Sequence, residues 1–197
     1  GPATNVSASA IRCRIAGARS SGASGFGFAA GGGAVLRVQY PKGSVNFGSA
    51  KKGRPLGGAS FYVPFAGGDV SCLHYRVRFP EGCAFVKGGK LPGLYGGDAP
   101  SGGEEVTGSN GWSVRLMWRT DGAGELYEYI VNKKDDYGLS AGRGVFTFPR
   151  GRWVDVDLEV DLNDPGKANG IARLWIDGRA VIEQNDLVYT TRGADGA

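Results

Sequence analysis

Hydrophobic and polar residues alternate with a period of two along much of the chain. Leu73, Tyr75, Val77 and Phe79 alternate with His74, Arg76 and Arg78. Trp112, Val114, Leu116 and Trp118 alternate with Ser113, Arg115 and Met117. The longest such run is Val154-Asp-Val-Asp-Leu-Glu-Val-Asp-Leu162. Successive side chains of a strand point to opposite faces, so these runs predict half-buried strands. Further strands are expected over residues 35–40, 59–65 and 126–131. Two more, over 173–176 and 180–182, flank Asp177-Gly178, a two-residue hairpin signal. No window sustains a 3.6-residue apolar period. Short strands parted by Gly and Pro turns predict an all-β fold, an antiparallel jelly roll of two packed sheets. Residues 1–33 read as an irregular Gly/Ser-rich lead-in to a single domain spanning 1–197.

Composition sharpens this picture by exclusion. Glycine supplies 36 of the 197 residues, well above the usual share of about 7%. There is no G-x-y period, so collagen is excluded and the glycines read as turn residues. Four Trp, eight Tyr and nine Phe argue against disorder. A single His and three Cys exclude most His-based metal sites, and Ser-His-Asp machinery unless His74 serves. His74 shares a strand face with Arg76 and Arg78 and reads as a surface or cleft-edge residue. Cys13, Cys72 and Cys83 lack paired C-x-x-C spacing, which leaves open one disulfide plus a thiol, or three thiols. Gly25-Phe-Gly27 lacks the strand–turn–helix context of a nucleotide loop.

The net charge of +4 hides a split. Residues 1–100 carry 12 Lys and Arg against 3 Asp and Glu, or +9; residues 101–197 carry 11 against 16, or −5. No nucleic-acid recognition motif accompanies the basic half, so no nucleic-acid partner is expected. No stretch reaches the ~18 apolar residues of a membrane helix, and no membrane association is expected. No signal peptide is read at the start, where Gly1-Pro2 has the form of a remnant of tag cleavage with any leader already removed. Asn5-Val-Ser7 is a glycosylation sequon, usable in a secreted chain.

Alternation also places candidate chemistry. Ser113, Arg115, Met117 and Arg119 share one parity, opposite the apolar Trp112, Val114, Leu116 and Trp118. On the next strand Tyr127 and Tyr129 share a face, which sets two phenols beside a fixed positive charge. The bland alternative is ordinary cross-strand packing of aromatics with arginines. Lys87 and Lys90 lie among glycines in a segment that reads as tightly turning, where the backbone can approach a ligand and lysine supplies a point charge.

Three ordered motifs, Lys90-Leu-Pro-Gly-Leu-Tyr-Gly-Gly97, Gly111-Trp-Ser-Val-Arg-Leu-Met-Trp-Arg119 and Leu126-Tyr-Glu-Tyr-Ile130, resemble polysaccharide lyase family 14. Tyr40-Pro-Lys-Gly-Ser44 and Gly58-Ala-Ser-Phe-Tyr62 are similar to its upstream strands, and the resemblance runs from about Tyr40 to Ile182. It implies a β-jelly roll with a substrate cleft on one sheet. It also implies a secreted, monomeric lyase acting without cofactor on 1,4-linked polyuronates, such as mannuronate-rich alginate or glucuronan. The family's catalytic lysine, serine, arginine and tyrosine pair map onto Lys90, Ser113, Arg115, Tyr127 and Tyr129. Lys87, Tyr95 and Arg119 are the expected substrate-binding residues. The resemblance further implies an apolar, Phe-rich strand after residues 181–189, where this sequence reads Arg192-Gly-Ala-Asp-Gly-Ala197.

The implied reaction is β-elimination. Removing the C5 proton of a uronate builds negative charge on its carboxylate, which a guanidinium can grip with two hydrogen bonds. Tyrosine and lysine serve as base and acid, with the phenol made more acidic by nearby cations. Two other readings compete. A glycoside hydrolase would use two carboxylates, and Asp155, Asp157, Glu159 and Asp161 line one strand face; their alternation with Val and Leu instead reads as a solvated outer face. A non-catalytic lectin-like module would need aromatic platforms but no Lys/Arg/Tyr cluster.

Overall fold

The computed structural model describes residues 3–7, 24–26, 36–44, 52–132 and 137–191. They form strands β1 (Ala3–Ser7), β2 (Ser24–Phe26), β3 (Leu36–Gln39), β4 (Val70–Arg78), β5 (Gly89–Gly97) and β6 (Gly111–Trp118). These are followed by β7 (Gly124–Tyr129), β8 (Leu139–Ala141), β9 (Trp153–Asp161), β10 (Gly170–Ile176) and β11 (Arg179–Leu187). One sheet runs β11-β10-β9-β4-β1-β3, with β2 added parallel to β4; the other runs β5-β6-β7-β8. Every other strand pairing is antiparallel, and a three-residue 3-10 turn lies at Thr120–Gly122. This is the two-sheet jelly roll that the alternation predicts.

The inner faces of the two sheets meet in one apolar core. Tyr75, Val77, Val154, Val156, Leu158 and Leu174 come from the first sheet, and Leu94, Trp112, Val114, Leu116 and Leu126 from the second. The hairpin between β10 and β11 turns at Asp177 (φ 50°) and Gly178 (φ 77°). Two consecutive positive φ values match the right-handed twist of the flanking strands.

The outer face of the first sheet carries the acidic row of β9, and bases answer it across the strands. Asp155 pairs with Arg76 at 3.0 Å, Asp157 with His74 at 2.7 Å, and Glu159 with Arg173 at 2.7 Å. The row is cross-braced against its neighbours and lies on a different sheet from the Lys, Arg and Tyr residues singled out above. His74 thus sits in the outer-face ladder.

Two expectations need correction. Residues 59–65 form no strand of either sheet, with Phe61 and Tyr62 56% and 62% exposed. Pro64 removes a ladder donor from it. Within the expected lead-in, β1 and β2 are strands of the first sheet, and β1 lies between β4 and β3. Backbone pairing on both edges holds so short a strand without an alternating signal. The sequon lies in β1, and the rest of residues 1–33 and residues 192–197 lie outside the described residues. Cys72 is disulfide-bonded and Cys83 is a free thiol.

Candidate active site

The face of the second sheet turned away from the core is a grid set by strand register. Tyr95 of β5, Ser113 of β6 and Tyr129 of β7 form one row. Gly93, Arg115, Tyr127 and Ser140 of β8 form the next, and Lys90, Met117 and Glu125 a third. Parity fixes this for β6 and β7, because Val114, Leu116, Leu126 and Ile130 point into the core.

β5 reaches the same face by a different device. Lys90 pairs with Met117 and Gly93 with Arg115, so three steps on β5 span two on β6. The extra residue is a β-bulge at Leu91-Pro92, where proline is tolerated because the ladder is already interrupted. The bulge shifts the parity: Leu91 and Leu94 are both buried, while Lys90, Gly93 and Tyr95 share the outward face. The segment expected to turn tightly is therefore a bulged strand. Gly93 is required there, since a Cβ would lie 2.1 Å from the Val114 carbonyl oxygen and 2.4 Å from the Arg115 Cα.

Arg115 is half-buried, and its Nη2 donates to the Ser113 hydroxyl at 2.9 Å. Ser113, itself buried, donates to the Pro100 carbonyl at 2.7 Å. The guanidinium is thereby anchored at one end. The phenols of Tyr62, Tyr129 and Tyr127 lie close enough to act on its charge. Tyr62 also meets Tyr95 edge to face, with ring centroids 5.2 Å apart.

Tyr127 and Tyr129 pack edge to face at 5.7 Å, and their hydroxyls are hydrogen-bonded to each other. Tyr129 is fully buried, and its oxygen accepts the Gly103 amide at 3.0 Å. Tyr127 is partly exposed and accepts the Gly138 amide at 3.1 Å. The pair is polarised. Burial, then the hydrogen bond to Tyr129, pushes the Tyr127 phenol above its usual value. Burial opposes ionisation of Tyr129 as well. It is outweighed by the Gly103 amide, the Tyr127 hydroxyl, the Gly138 amide and the Lys90 charge, which together hold Tyr129 below the ordinary phenol value. Negative charge thus settles first on Tyr129.

Cations surround the pair. The Lys90 ammonium sits 5.8 Å from the centre of the Tyr127 ring and the Arg119 guanidinium 5.5 Å from it. Desolvation, with Arg115 and then Arg119 adding like charge, holds Lys90 below the ordinary lysine value despite attraction from Tyr129. Arg119 is tied to Glu125, its Nε donating to Oε1 at 2.6 Å. The other Glu125 oxygen accepts Arg143 Nε at 2.5 Å. Lys87 is exposed at the bend before β5, outside the grid.

The structure therefore brings Lys90, Ser113, Arg115, Tyr127, Tyr129, Tyr95 and Arg119 to one face. Sequence reasoning missed Tyr62, Glu125, Arg143 and the Gly103 and Gly138 amides. Glu125 shares parity with Tyr127 and Tyr129 and was within reach of the alternation argument; the others come from unpaired segments or loops. Among the described residues no group of His, Cys, Asp and Glu is arranged to hold a metal ion, and no helix is long and apolar enough to cross a membrane.

A family model described as Polysaccharide lyase 14 matches residues 29–196. The solved structure of the marine PL-14 alginate lyase from Aplysia kurodai is 35% identical, with a TM-score of 0.55 over 63% of this chain and 55% of that one. A second alginate lyase is 26% identical, with a TM-score of 0.55 over 62% of this chain and 53% of that one. The alginate lyase of a Chlorella virus shares the fold at 20% identity and a TM-score of 0.53, over 64% of this chain and 57% of that one. The matched part is thus little more than half of each of those chains. No curated protein sequence matches.

Proposed function

Because this chain belongs to polysaccharide lyase family 14, we propose that it cleaves 1,4-linked polyuronates by β-elimination, with alginate as the first substrate to test. The two most similar structures reported above are alginate lyases. The observation that carries the reading is the polarised Tyr127–Tyr129 pair set beside an anchored guanidinium and a lysine on one sheet face.

The geometry supports the following steps. Arg115, held by Ser113, takes the substrate carboxylate and neutralises the charge that builds there. Tyr127 and Tyr129 act as one base that shares a single proton. Tyr129 is buried, so the C5 proton goes to the more accessible Tyr127 oxygen as the Tyr127 proton passes to the Tyr129 phenolate. The electron pair of the C5–H bond forms the C4–C5 double bond, and the C4–O4 bond breaks. Lys90, an ammonium made more acidic by burial and by Arg115 and Arg119, gives a proton to O4 of the leaving sugar. A proton returning from the tyrosine pair to Lys90 resets the site. Tyr95 and Arg119 contact the flanking sugars, and Lys87 adds charge at the cleft edge.

A panel of mannuronate-rich alginate, guluronate-rich alginate and glucuronan, followed by ultraviolet absorbance, tests the assignment. An unsaturated uronyl chromophore is expected from at least one polymer. Reducing ends without that chromophore would mean hydrolysis, and binding without cleavage would mean a lectin-like module. The reading extends to an enzyme working outside the cell as a monomer, with the described strands as its catalytic unit.

A further inference from the structure

Glu125 is fully buried, yet it answers two arginines. Arg119 takes one carboxylate oxygen and Arg143 the other. One guanidinium would satisfy the charge; the second leaves a net positive centre at the end of the grid that already holds Lys90. Arg143 is also braced by Ser140, to whose hydroxyl its Nη2 donates at 2.8 Å. Ser140 stands directly across from Tyr127 in the β7–β8 ladder. The Arg143 head is thus fixed next to the row of Arg115 and Tyr127, on the side of β8. Its side chain is 55% exposed, and among the described residues its Nη1 has no hydrogen-bond partner. A guanidinium fixed on one edge and open on the other is preorganised to receive an anion.

We propose that Arg143, positioned by Glu125 and Ser140, binds the carboxylate of a sugar flanking the one on Arg115, and so requires a second uronate in the substrate. The inference rests on the polyuronate reading above. A polyuronate carries one carboxylate per sugar, so a chain fixed at Arg115 must place further carboxylates along the face. Arg119 is less free to do this work, since both its Nε and Nη2 are committed to Glu125 and its face lies over Tyr127.

The test is steady-state kinetics of wild type, Arg143→Ala and Arg143→Lys on the polymer that wild type cleaves, and on its oligouronates of decreasing length. Arg143→Ala is expected to raise KM on polymer about tenfold while kcat stays within about twofold. Arg143→Lys should recover part of the loss. The penalty should shrink on the oligouronate too short to fill the flanking position. Unchanged KM on polymer, with wild type active, overturns the inference and leaves the lyase reading standing. A fall in kcat of equal size at every length, with a lowered melting temperature, also overturns it, because that is what a purely structural ion pair would give. A wild type that forms no unsaturated ends on any polyuronate overturns both.

Discussion

Arg115 is held by Ser113 from its own strand, two residues away, and Ser113 is held in turn by the Pro100 carbonyl. This relay ties the guanidinium to the segment after β5, so its position depends on a side chain that carries no charge. Ser113→Ala should reduce kcat/KM by about ten- to a hundredfold, the worth of one hydrogen bond to a charged group. The fold should survive, with a loss of about 1 kcal/mol. Kinetics beside a denaturant melt separate the two effects, and an unchanged kcat/KM would show that Arg115 needs no anchor.

The tyrosine pair makes a claim about pH. Tyr129 lies below the ordinary phenol value and Tyr127 above it. Activity should rise on the alkaline side as the pair loses the first of its two protons and the second becomes shared, with an apparent pKa below 10, the unperturbed Tyr129 value. In Tyr129→Phe the remaining phenol loses its partner for the shared charge. Its residual activity should therefore rise only at higher pH, and kcat should fall by about a hundredfold or more. A kcat/KM profile from about pH 6 to 10 checks both statements. A limb at the same pH in wild type and Tyr129→Phe would separate Tyr129 from the base.

Gly93 gives a steric prediction. A methyl group there would collide with the β6 backbone at Val114 and Arg115. Gly93→Ala should force β5 away from β6, cost about 1–3 kcal/mol, and remove activity more completely than stability, because the same bulge aims Lys90. Melting temperature and turnover of the purified variant provide the measurement.

That bulge also shows where reading by sequence stops. Parity on β6 was legible because apolar residues alternate without interruption, and on β7 because Leu126 and Ile130 mark the core face despite Glu128 between them; it placed Ser113, Arg115, Tyr127 and Tyr129 on one face. Lys90 was not placed by parity, since Leu91 and Leu94 fit one strand face only if a residue is inserted between them. Tyr62 was expected in a strand and lies instead in a segment outside both sheets, against Tyr95. Arg143 lies 18 residues from Glu125, and no local pattern links them. Periodicity reports faces; it does not report which loops fold back over them.

The acidic row of β9 separates the lyase reading from a hydrolase reading. Glu159 is buried and paired with Arg173 on the outer face of the other sheet. Glu159→Gln should keep kcat within about twofold and lower stability by about 1 kcal/mol, since Arg173 loses one charged partner but keeps Glu183 at 3.0 Å. Abolished cleavage in a folded Glu159→Gln protein would overturn the placement of the active site.

Glu128 lies between the two tyrosines in sequence but faces the core. It is 0% exposed, and the Gln184 amide, oriented with its nitrogen toward the carboxyl, donates to both oxygens at 2.9 and 3.0 Å. The phenol of buried Tyr189 is the neighbouring titratable group. Burial raises the Glu128 pKa from 4.5 to about 8, against the opposing hydrogen bond from Gln184. The folded protein therefore keeps a proton that the unfolded chain has lost. The resulting stabilisation is complete below the unfolded value, declines as pH rises from there to about 8, and is gone above it. The slope in that window is about 1.4 kcal/mol per pH unit. The alkaline activity expected of the tyrosine pair would thus be set in a strand that becomes less stable on the way there. Denaturant melts of wild type and Glu128→Gln, compared at each pH from about 5 to 9, should show the difference between them falling up to about pH 8 and constant beyond it. A difference independent of pH would mean that Glu128 ionises alike in the folded and unfolded chain.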